Sequence, residues 1–296
     1  MLRIAMVLSM IVAGLFTPGS SQASGKTIET TRLIVSDSTG KLTTEQLKRI
    51  AEQTQETLNM VLAFWSADPG IKRFGKIRVV FDVPRRDVYS CVFYWDKRED
   101  QRIRVVQVFG TDGAPQMLAH KLASAVFPQK DKLIRNIMGI LTEAQVGNPL
   151  TFPMCGFSSD EWVLALLQTK AYLPLNELGP DHESWGMKDA GGGKLSILDK
   201  AKQHKAYAET GSFANYVFET YGVLKIKQLQ RLSQEKDRPW RDVFGASLQE
   251  LEANWLKQLR TNGKATEENV SLIVKLLEKN PGTACSEAQK LAPGKK

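Results

Sequence analysis

The sequence predicts an α+β protein in which a small mixed N-terminal β-sheet with helices precedes a mostly helical C-terminal half. Two observations support this order. Segments with strand character lie between residues 30 and 109 and enclose one helix, whereas helical periodicity dominates from residue 118 onward. The chain of 296 residues is long enough for one sizeable domain.

The predicted strands are recognised by β-branched and aromatic residues or by apolar alternation. They are residues 30–36, 76–83, 89–95 and 103–109. Thr43 and Gln46 form a capping-box signature, so a helix is expected to begin there and to end at Asp68-Pro69-Gly70. This places one helix between the first and second strands.

The second half of the sequence predicts a series of helices. They are residues 118–127, a segment whose apolar stripe runs from Leu133 to Ala144, and residues 159–169, 206–232, 247–259 and 267–278. Gly222 is predicted to cap the first of two segments within 206–232, and Ser247 with Glu250 forms a second capping box. Residues 178–194 are expected to form a long loop in which 191–194 are a flexible link, and residues 288–296 a disordered tail.

The first 23 residues have the pattern of a secretory signal peptide. Arg3 precedes an apolar run over residues 4–16, and small residues lead to Ala23, after which we expect cleavage. The run is too short to span a bilayer, which takes about 20 residues. We therefore expect an exported, periplasmic or extracellular protein without a transmembrane span, with one domain over residues 24–262 and a C-terminal helix and tail over 263–296.

The charge and the cysteines limit the possible partners and compartments. The net charge of +8 is moderate and spread along the chain, which does not favour nucleic acid as a partner. In an oxidising compartment Cys91, Cys155 and Cys285 can form one disulfide in any of three ways, leaving one thiol. No feature indicates an oligomeric state.

The helix predicted over residues 118–127 carries the most informative motif. His120, Lys121 and Ser124 lie on one face of it, in the frame H-K-x-x-S. Zinc peptidases place H-E-x-x-H on such a helix, so that two imidazoles bind the metal and the Glu activates water. Glu143 follows His120 by 23 residues.

Several segments together resemble gluzincin-type zinc metallopeptidases of the peptidase-MA-like kind found in exported bacterial proteins. These segments are L-A-H-K-L-A-S-A-V-F around His120, L-T-E-A-Q-V-G around Glu143, and residues 211–226 and 247–259. The resemblance covers residues 30–259 and implies a zincin-like fold. It also implies that His120, Ser124 and Glu143 stand at the three former metal-ligand positions.

The substitutions in the motif argue against catalysis. Ser124 offers a neutral hydroxyl that zinc rarely accepts, and the charged ammonium of Lys121 cannot act as the base and repels a divalent cation. We therefore expect no catalytic residue, no bound metal and no cofactor, the ancestral zinc having been lost. The resemblance then implies a pseudo-metallopeptidase that binds a peptide or an envelope protein in its remnant cleft, with residues 103–109 as the edge strand that an extended ligand pairs with.

Other interpretations remain open on the sequence. One open question is the role of Lys121. Its ammonium either forms an ion pair with Glu143 in place of the metal, or it extends to solvent while Glu143 ends a helix face. A second alternative is a Ser-Lys hydrolase dyad formed by Lys121 and Ser124. A third is a residual metal site in which His182 or His204 joins His120 and Glu143. Tyr207 is expected either to line the cleft or to pack in the core. As whole functions, the alternatives are an active metallopeptidase with substituted ligands and a purely structural envelope domain.

Overall fold

The computed structural model describes residues 25–84, 90–98, 101–110, 117–189, 195–261 and 265–292. The predicted signal peptide, the segment 191–194 and the last four residues of the predicted tail lie outside the described residues. Within them, the predicted α+β class with a small mixed N-terminal sheet and a mostly helical second half is confirmed. No helix in the described part of the chain is both long and apolar enough to cross a lipid bilayer.

The predicted strands and helices occur in the predicted order, with further short elements among them. The strands are β1 (Thr27–Glu29), β2 (Leu33–Asp37), β3 (Ile77–Asp82), β4 (Cys91–Arg98), β5 (Gln101–Phe109), β6 (Met187–Asp189) and β7 (Leu195–Ile197). The helices are α1 (Thr44–Trp65), α2 (Ile71–Phe74), α3 (Leu118–Val126), α4 (Lys132–Val146), α5 (Ser159–Gln168), α6 (Lys200–Leu232), α7 (Trp240–Phe244), α8 (Leu248–Thr261), α9 (Glu267–Lys279) and α10 (Ala284–Leu291). Two short 3₁₀ turns are present at Leu175–Glu177 and Glu183–Trp185. The second turn and strand β6 lie within residues 178–194, so the prediction of a loop is wrong for those residues.

The main sheet has the strand order β1-β2-β3-β5-β4. Strands β2, β3 and β5 run parallel, and β1 and β4 lie antiparallel at the two ends. Val106 of β5 is paired with both Val79 and Phe93, so both sides of β5 are hydrogen-bonded. The prediction that residues 103–109 form an edge strand is therefore wrong. The edge strand on this side of the sheet is β4, because the chain places it antiparallel on the outer side of β5.

Local signals in the sequence set several helix ends. The capping box of Thr43 and Gln46 at the start of α1 is confirmed, as is that of Ser247 and Glu250 before α8. Gly222 has φ 79° and ψ 167° and divides α6 into two helical segments, as predicted. α6 begins six residues earlier than predicted, at Lys200, because the Asp199 side chain accepts a hydrogen bond from the Lys202 N–H.

The C-terminal residues are more ordered than predicted. Residues 288–291 belong to α10, so the expectation of a disordered tail is wrong for them. A disulfide joins Cys155 to Cys285 and fixes α10 beside α5 and α9, where Ala284 and Ala288 are buried. Cys91 is the remaining thiol, buried in β4. The sequence left all three pairings open, and the fold selects one by bringing two cysteines 130 residues apart into contact.

A buried arginine joins the sheet to the helices. Arg104 of β5 is 1% exposed, and its guanidinium donates hydrogen bonds to the carbonyl oxygens of Pro69 (2.6 Å), Gly75 (2.6 Å) and Ala125 (3.2 Å). The last of these carbonyls is at the C-terminal end of α3, where a positive charge is favoured. Arg104 thus holds the end of α3 against the sheet.

Candidate functional site

Helix α3 is buried in the core rather than lying open on one face. Every residue from Leu118 to Ala125 is buried, including His120 (0% exposed), Lys121 (7%) and Ser124 (3%). The helix packs against α1, α4 and strands β4 and β5. The structure therefore places the three motif residues together, as predicted, but most of their polar atoms face protein.

The imidazole of His120 is enclosed and neutral. The ring lies 6.1 Å from that of Tyr207, and its hydrogen-bonding neighbour is the side chain of Asn136. Burial, and then the nearby positive charges of Lys121 and Arg135, hold the pKa of His120 well below its ordinary value. The ring rests against the backbone of α4 at Gly139, where a Cβ atom would lie only 2.4 Å from Nε2. A bulkier residue at 139 would not fit.

Glu143 caps helix α3. Its Oε2 accepts a hydrogen bond of 3.0 Å from the backbone N–H of His120, the third residue of the helix. The N-cap residue, Met117, supplies no side-chain cap and has φ 61°, so the carboxylate from α4 satisfies an amide at the positive end of the helix dipole. Burial raises the pKa of Glu143, and the hydrogen bond from His120 and the charge of Lys121 oppose that rise.

The hydroxyl of Ser124 is committed to the helix backbone. Its Oγ donates to the carbonyl oxygen of His120 at 3.0 Å, one turn earlier. A nucleophilic serine would instead give this proton to a neighbouring base, here Lys121. The arrangement gives no support to the Ser-Lys dyad.

The remnant motif does not fit a zinc ion. Zinc needs three protein ligands directed at one point. Here the Glu143 carboxylate is turned to a backbone amide, Ser124 to a carbonyl, and the His120 ring to the backbone at Gly139. Two of the three side chains are thus bonded to backbone atoms, so we derive no metal-dependent step.

The other two histidines do not complete that set. Nδ1 of His182 lies 2.7 Å from Nζ of Lys132, and His204 lies elsewhere, with Nε2 3.0 Å from the carbonyl oxygen of Pro153. Among the described residues, the group of His, Cys and acidic side chains close enough to share a metal is Cys155, His204 and Cys285, within 4.8 Å. The two sulfur atoms are joined in the disulfide, so they are not thiolate ligands.

A cavity of about 160 Å³ lies beside the motif. Strand β4 and helices α3 and α4 contribute most of its lining, and β6 and β7 add one residue each. The residues that line it are Val92, Phe93, Tyr94, Lys121, Ser124, Lys132, Arg135, Asn136, His182, Asp189, Leu195 and Tyr207. Tyr207 therefore both lines the cavity and packs, since it is 2% exposed. His120 and Glu143 are not part of the lining.

Basic side chains are prominent in the lining of the cavity. Burial, followed by the charge of Arg135, lowers the pKa of Lys121 to about 7 and that of Lys132 to about 6. Burial and the charge of Lys132 lower the pKa of His182 to about 4, so its imidazole is neutral at pH 7. These shifts follow from placing cations close together away from water.

The structure decides part of the question about Lys121. Its low exposure excludes the alternative in which the side chain extends to solvent. Lys121 and Glu143 each favour the ionised form of the other, as a replacement ion pair requires. The hydrogen bond on the Glu143 carboxylate nevertheless comes from the backbone of His120, and the direct ion pair stays a prediction.

Three cavity residues were not recognised from the sequence. Lys132, Arg135 and Asn136 lie in the first turns of α4, where only the apolar stripe was used for prediction. The spacing of Lys132 and Arg135 by one helical turn puts two cations on one face, and this pattern was visible in the sequence. The sequence does not indicate that the face of α4 with Lys132 and Arg135 lies beside Lys121 of α3.

By fold and site, the chain is an α+β protein with a basic cavity between an edge strand and two helices. Comparisons with protein-family models, with curated proteins and with solved structures found no match.

Proposed function

We propose that this chain is an exported, non-hydrolytic protein of the zincin-like class that binds an extended peptide segment, such as one from an envelope protein, in the cleft beside α3. The element order and the four resembling segments support the zincin-like class. The disulfide between Cys155 and Cys285 agrees with an oxidising compartment and so supports export.

The observation that carries the proposal is the position of Lys121. A cation lines the cavity at the place in the motif where a metallopeptidase needs a carboxylate base. The Glu143 carboxylate is used as a helix cap, which argues against its service as a metal ligand. The cavity remains, and it is the part of the site able to receive a ligand.

The edge strand β4 gives the ligand its path. One side of β4 is paired with β5, and within the described part of the chain no strand pairs with its other side. Residues 92–94 of β4 line the cavity. An extended peptide added to this edge would place alternate side chains toward α3 and α4, since successive side chains of a strand point to opposite faces.

Metal content and hydrolysis test the proposal directly. Purified protein, after exchange into zinc-containing buffer, is expected to hold far less than one zinc per chain and to leave a peptide library uncleaved with or without chelator. Near-stoichiometric zinc that is lost in His120→Ala, together with chelator-sensitive cleavage, would establish the active metallopeptidase instead. Hydrogen exchange with the library present is expected to protect amides of β4; unchanged exchange throughout would favour the purely structural domain.

A further inference from the structure

A second cavity, of about 620 Å³, lies at helix α2 and shares no lining residue with the cavity beside α3. Its walls come from α2, from the segment that leads into β3, and from strands β2, β3 and β5. Among its described lining residues, five are cations and none is an acid. The cations are Lys72, Arg73, Lys76, Arg78 and Arg102. We call this cavity the basic groove.

Most of the charge of the basic groove comes from one short segment of the chain. Residues 71–78 read I-K-R-F-G-K-I-R, with four cations and no acid. Gly70 and Gly75, with φ of 64° and 68°, bound the helix α2 within this segment, and Lys72 and Arg73 between them are exposed. A positive charge of this local density attracts anions, although the net charge of the whole chain is moderate.

Within the described residues, one ion pair involves a cation of the basic groove. Nζ of Lys76 lies 2.8 Å from Oε1 of Glu29, whose side chain is 64% exposed. An exposed pair of this kind contributes little stability, and it neutralises one charge of the five. The groove therefore keeps four cations that an anionic ligand can contact.

Two arginines of the groove are stacked on aromatic rings. The guanidinium of Arg73 lies 4.7 Å from the ring centre of Phe74, and that of Arg102 lies 4.8 Å from the ring centre of Trp95. Stacking occupies the flat face of a guanidinium and leaves the N–H groups at its edge to donate paired hydrogen bonds to a phosphate. It also restrains a long side chain, so less conformational entropy is lost when an anion binds.

Apolar side chains lie beside these cations. Ile34 pairs with Arg78 across β2 and β3, and Arg78 pairs with Val105 across β3 and β5. Ile103 precedes Val105 by two residues, so Ile34, Arg78 and Ile103 share one face of the sheet. Both isoleucines line the groove and are partly exposed. A ligand that covers the whole groove therefore has an apolar part next to its anionic part.

We propose that the basic groove binds the headgroup of an anionic phospholipid and so holds the protein at a membrane surface. The cations receive the phosphate, and the apolar residues contact the glycerol and the first carbons of the acyl chains. A free phosphate or an oligo-acidic peptide would match the cations but not the apolar residues. The volume of the groove lies within the range of about 300–1,000 Å³ that is typical of ligand sites. This role goes beyond the peptide binding proposed above and uses none of the residues assigned to it.

Co-sedimentation with lipid vesicles tests the groove. The probes are vesicles of phosphatidylcholine alone and vesicles of phosphatidylcholine and phosphatidylglycerol in equal amounts. The protein is expected to bind the mixed vesicles and not the neutral ones. Added salt is expected to weaken this binding, because it screens the charges.

Two matched pairs of substitutions locate the site. Lys72→Gln with Arg73→Gln removes two exposed charges from the groove and is expected to weaken binding to the mixed vesicles about 10- to 30-fold, the effect of two basic residues near an anionic surface. Lys257→Gln with Arg260→Gln removes two exposed charges from α8 and is expected to leave the affinity unchanged. Thermal unfolding midpoints equal to that of the wild type check that both variants fold.

Equal binding to the two kinds of vesicle, or binding to neither, would overturn the proposal. Equal losses in the two double variants would also overturn it, because net charge rather than the groove would then cause the binding. Binding of a soluble oligoglutamate peptide without binding of vesicles would overturn it in favour of an acidic protein partner. These outcomes are separate from zinc content and from protection of β4, so failure here leaves the proposed function intact.

Discussion

The backbone N–H of His120 donates a hydrogen bond to Oε2 of Glu143, while the ring of the same histidine rests against Gly139 of α4. In the sequence, His120 and Glu143 resemble a pair of metal ligands. In the structure they are joined by a hydrogen bond between the main chain of His120 and the side chain of Glu143. Glu143 is a helix cap in this fold, and His120 a neutral packing residue.

The capping role predicts a difference between two substitutions of Glu143. Glu143→Ala removes the acceptor for the His120 N–H and is expected to lower the free energy of unfolding by about 1–3 kcal/mol. Glu143→Gln keeps an acceptor oxygen and is expected to lower it less. Denaturant unfolding measures both. Equal losses for the two variants would mean that the negative charge, not the hydrogen bond, is what matters.

The contact between His120 and Gly139 predicts a steric effect. Gly139→Ala places a Cβ atom 2.4 Å from Nε2 of His120 and is expected to destabilise the protein by about 1–3 kcal/mol. Gly282→Ala is the control, because its Cβ would meet its nearest neighbour at 3.4 Å. In the double variant with His120→Ala the cost of Gly139→Ala is expected to shrink. Additive losses in that double-mutant cycle would refute the proposed clash.

The buried lysine predicts a pH dependence of stability. The pKa of Lys121 is lowered from 10.5 to about 7 in the folded protein, so between these values the unfolded chain binds more protons. Stability therefore rises with pH from about 7 to about 10, by up to about 1.4 kcal/mol per pH unit from this lysine. Lys121→Met is expected to lose that contribution to the slope. Parallel stability curves for the two proteins would show that Lys121 titrates normally.

The disulfide predicts a stability loss on reduction. It closes a loop between residues 130 apart in sequence, and removing a disulfide of that span costs about 2–5 kcal/mol. Cys285→Ser and reduced wild type are expected to show the same lowered unfolding midpoint, with the C-terminal helix α10 losing protection from hydrogen exchange. The control is Cys285→Ser treated with reductant, which should show no further change. A wild-type midpoint insensitive to reductant would contradict the pairing.

Local sequence signals determined the secondary structure well where the chain itself supplies the capping group. The capping boxes at Thr43 and Ser247 and the break at Gly222 are examples. Strands β2, β3, β4 and β5 were found from composition and alternation, whereas the short strands β1, β6 and β7 were missed. The partners of each strand were not predicted, because alternation indicates which face is buried and says nothing about which edge is paired. For this reason the edge strand was misassigned to β5.

The sequence by itself determined the α+β order and placed His120, Lys121 and Ser124 on one helix face, because helical spacing fixes which side chains share a side. Only the tertiary structure decided what those side chains do. It turned Glu143 to an amide, enclosed the ring of His120 against Gly139, and brought Lys132 and Arg135 from α4 to Lys121. These outcomes depend on how two helices pack, and packing between distant segments is set by the whole core rather than by any local pattern.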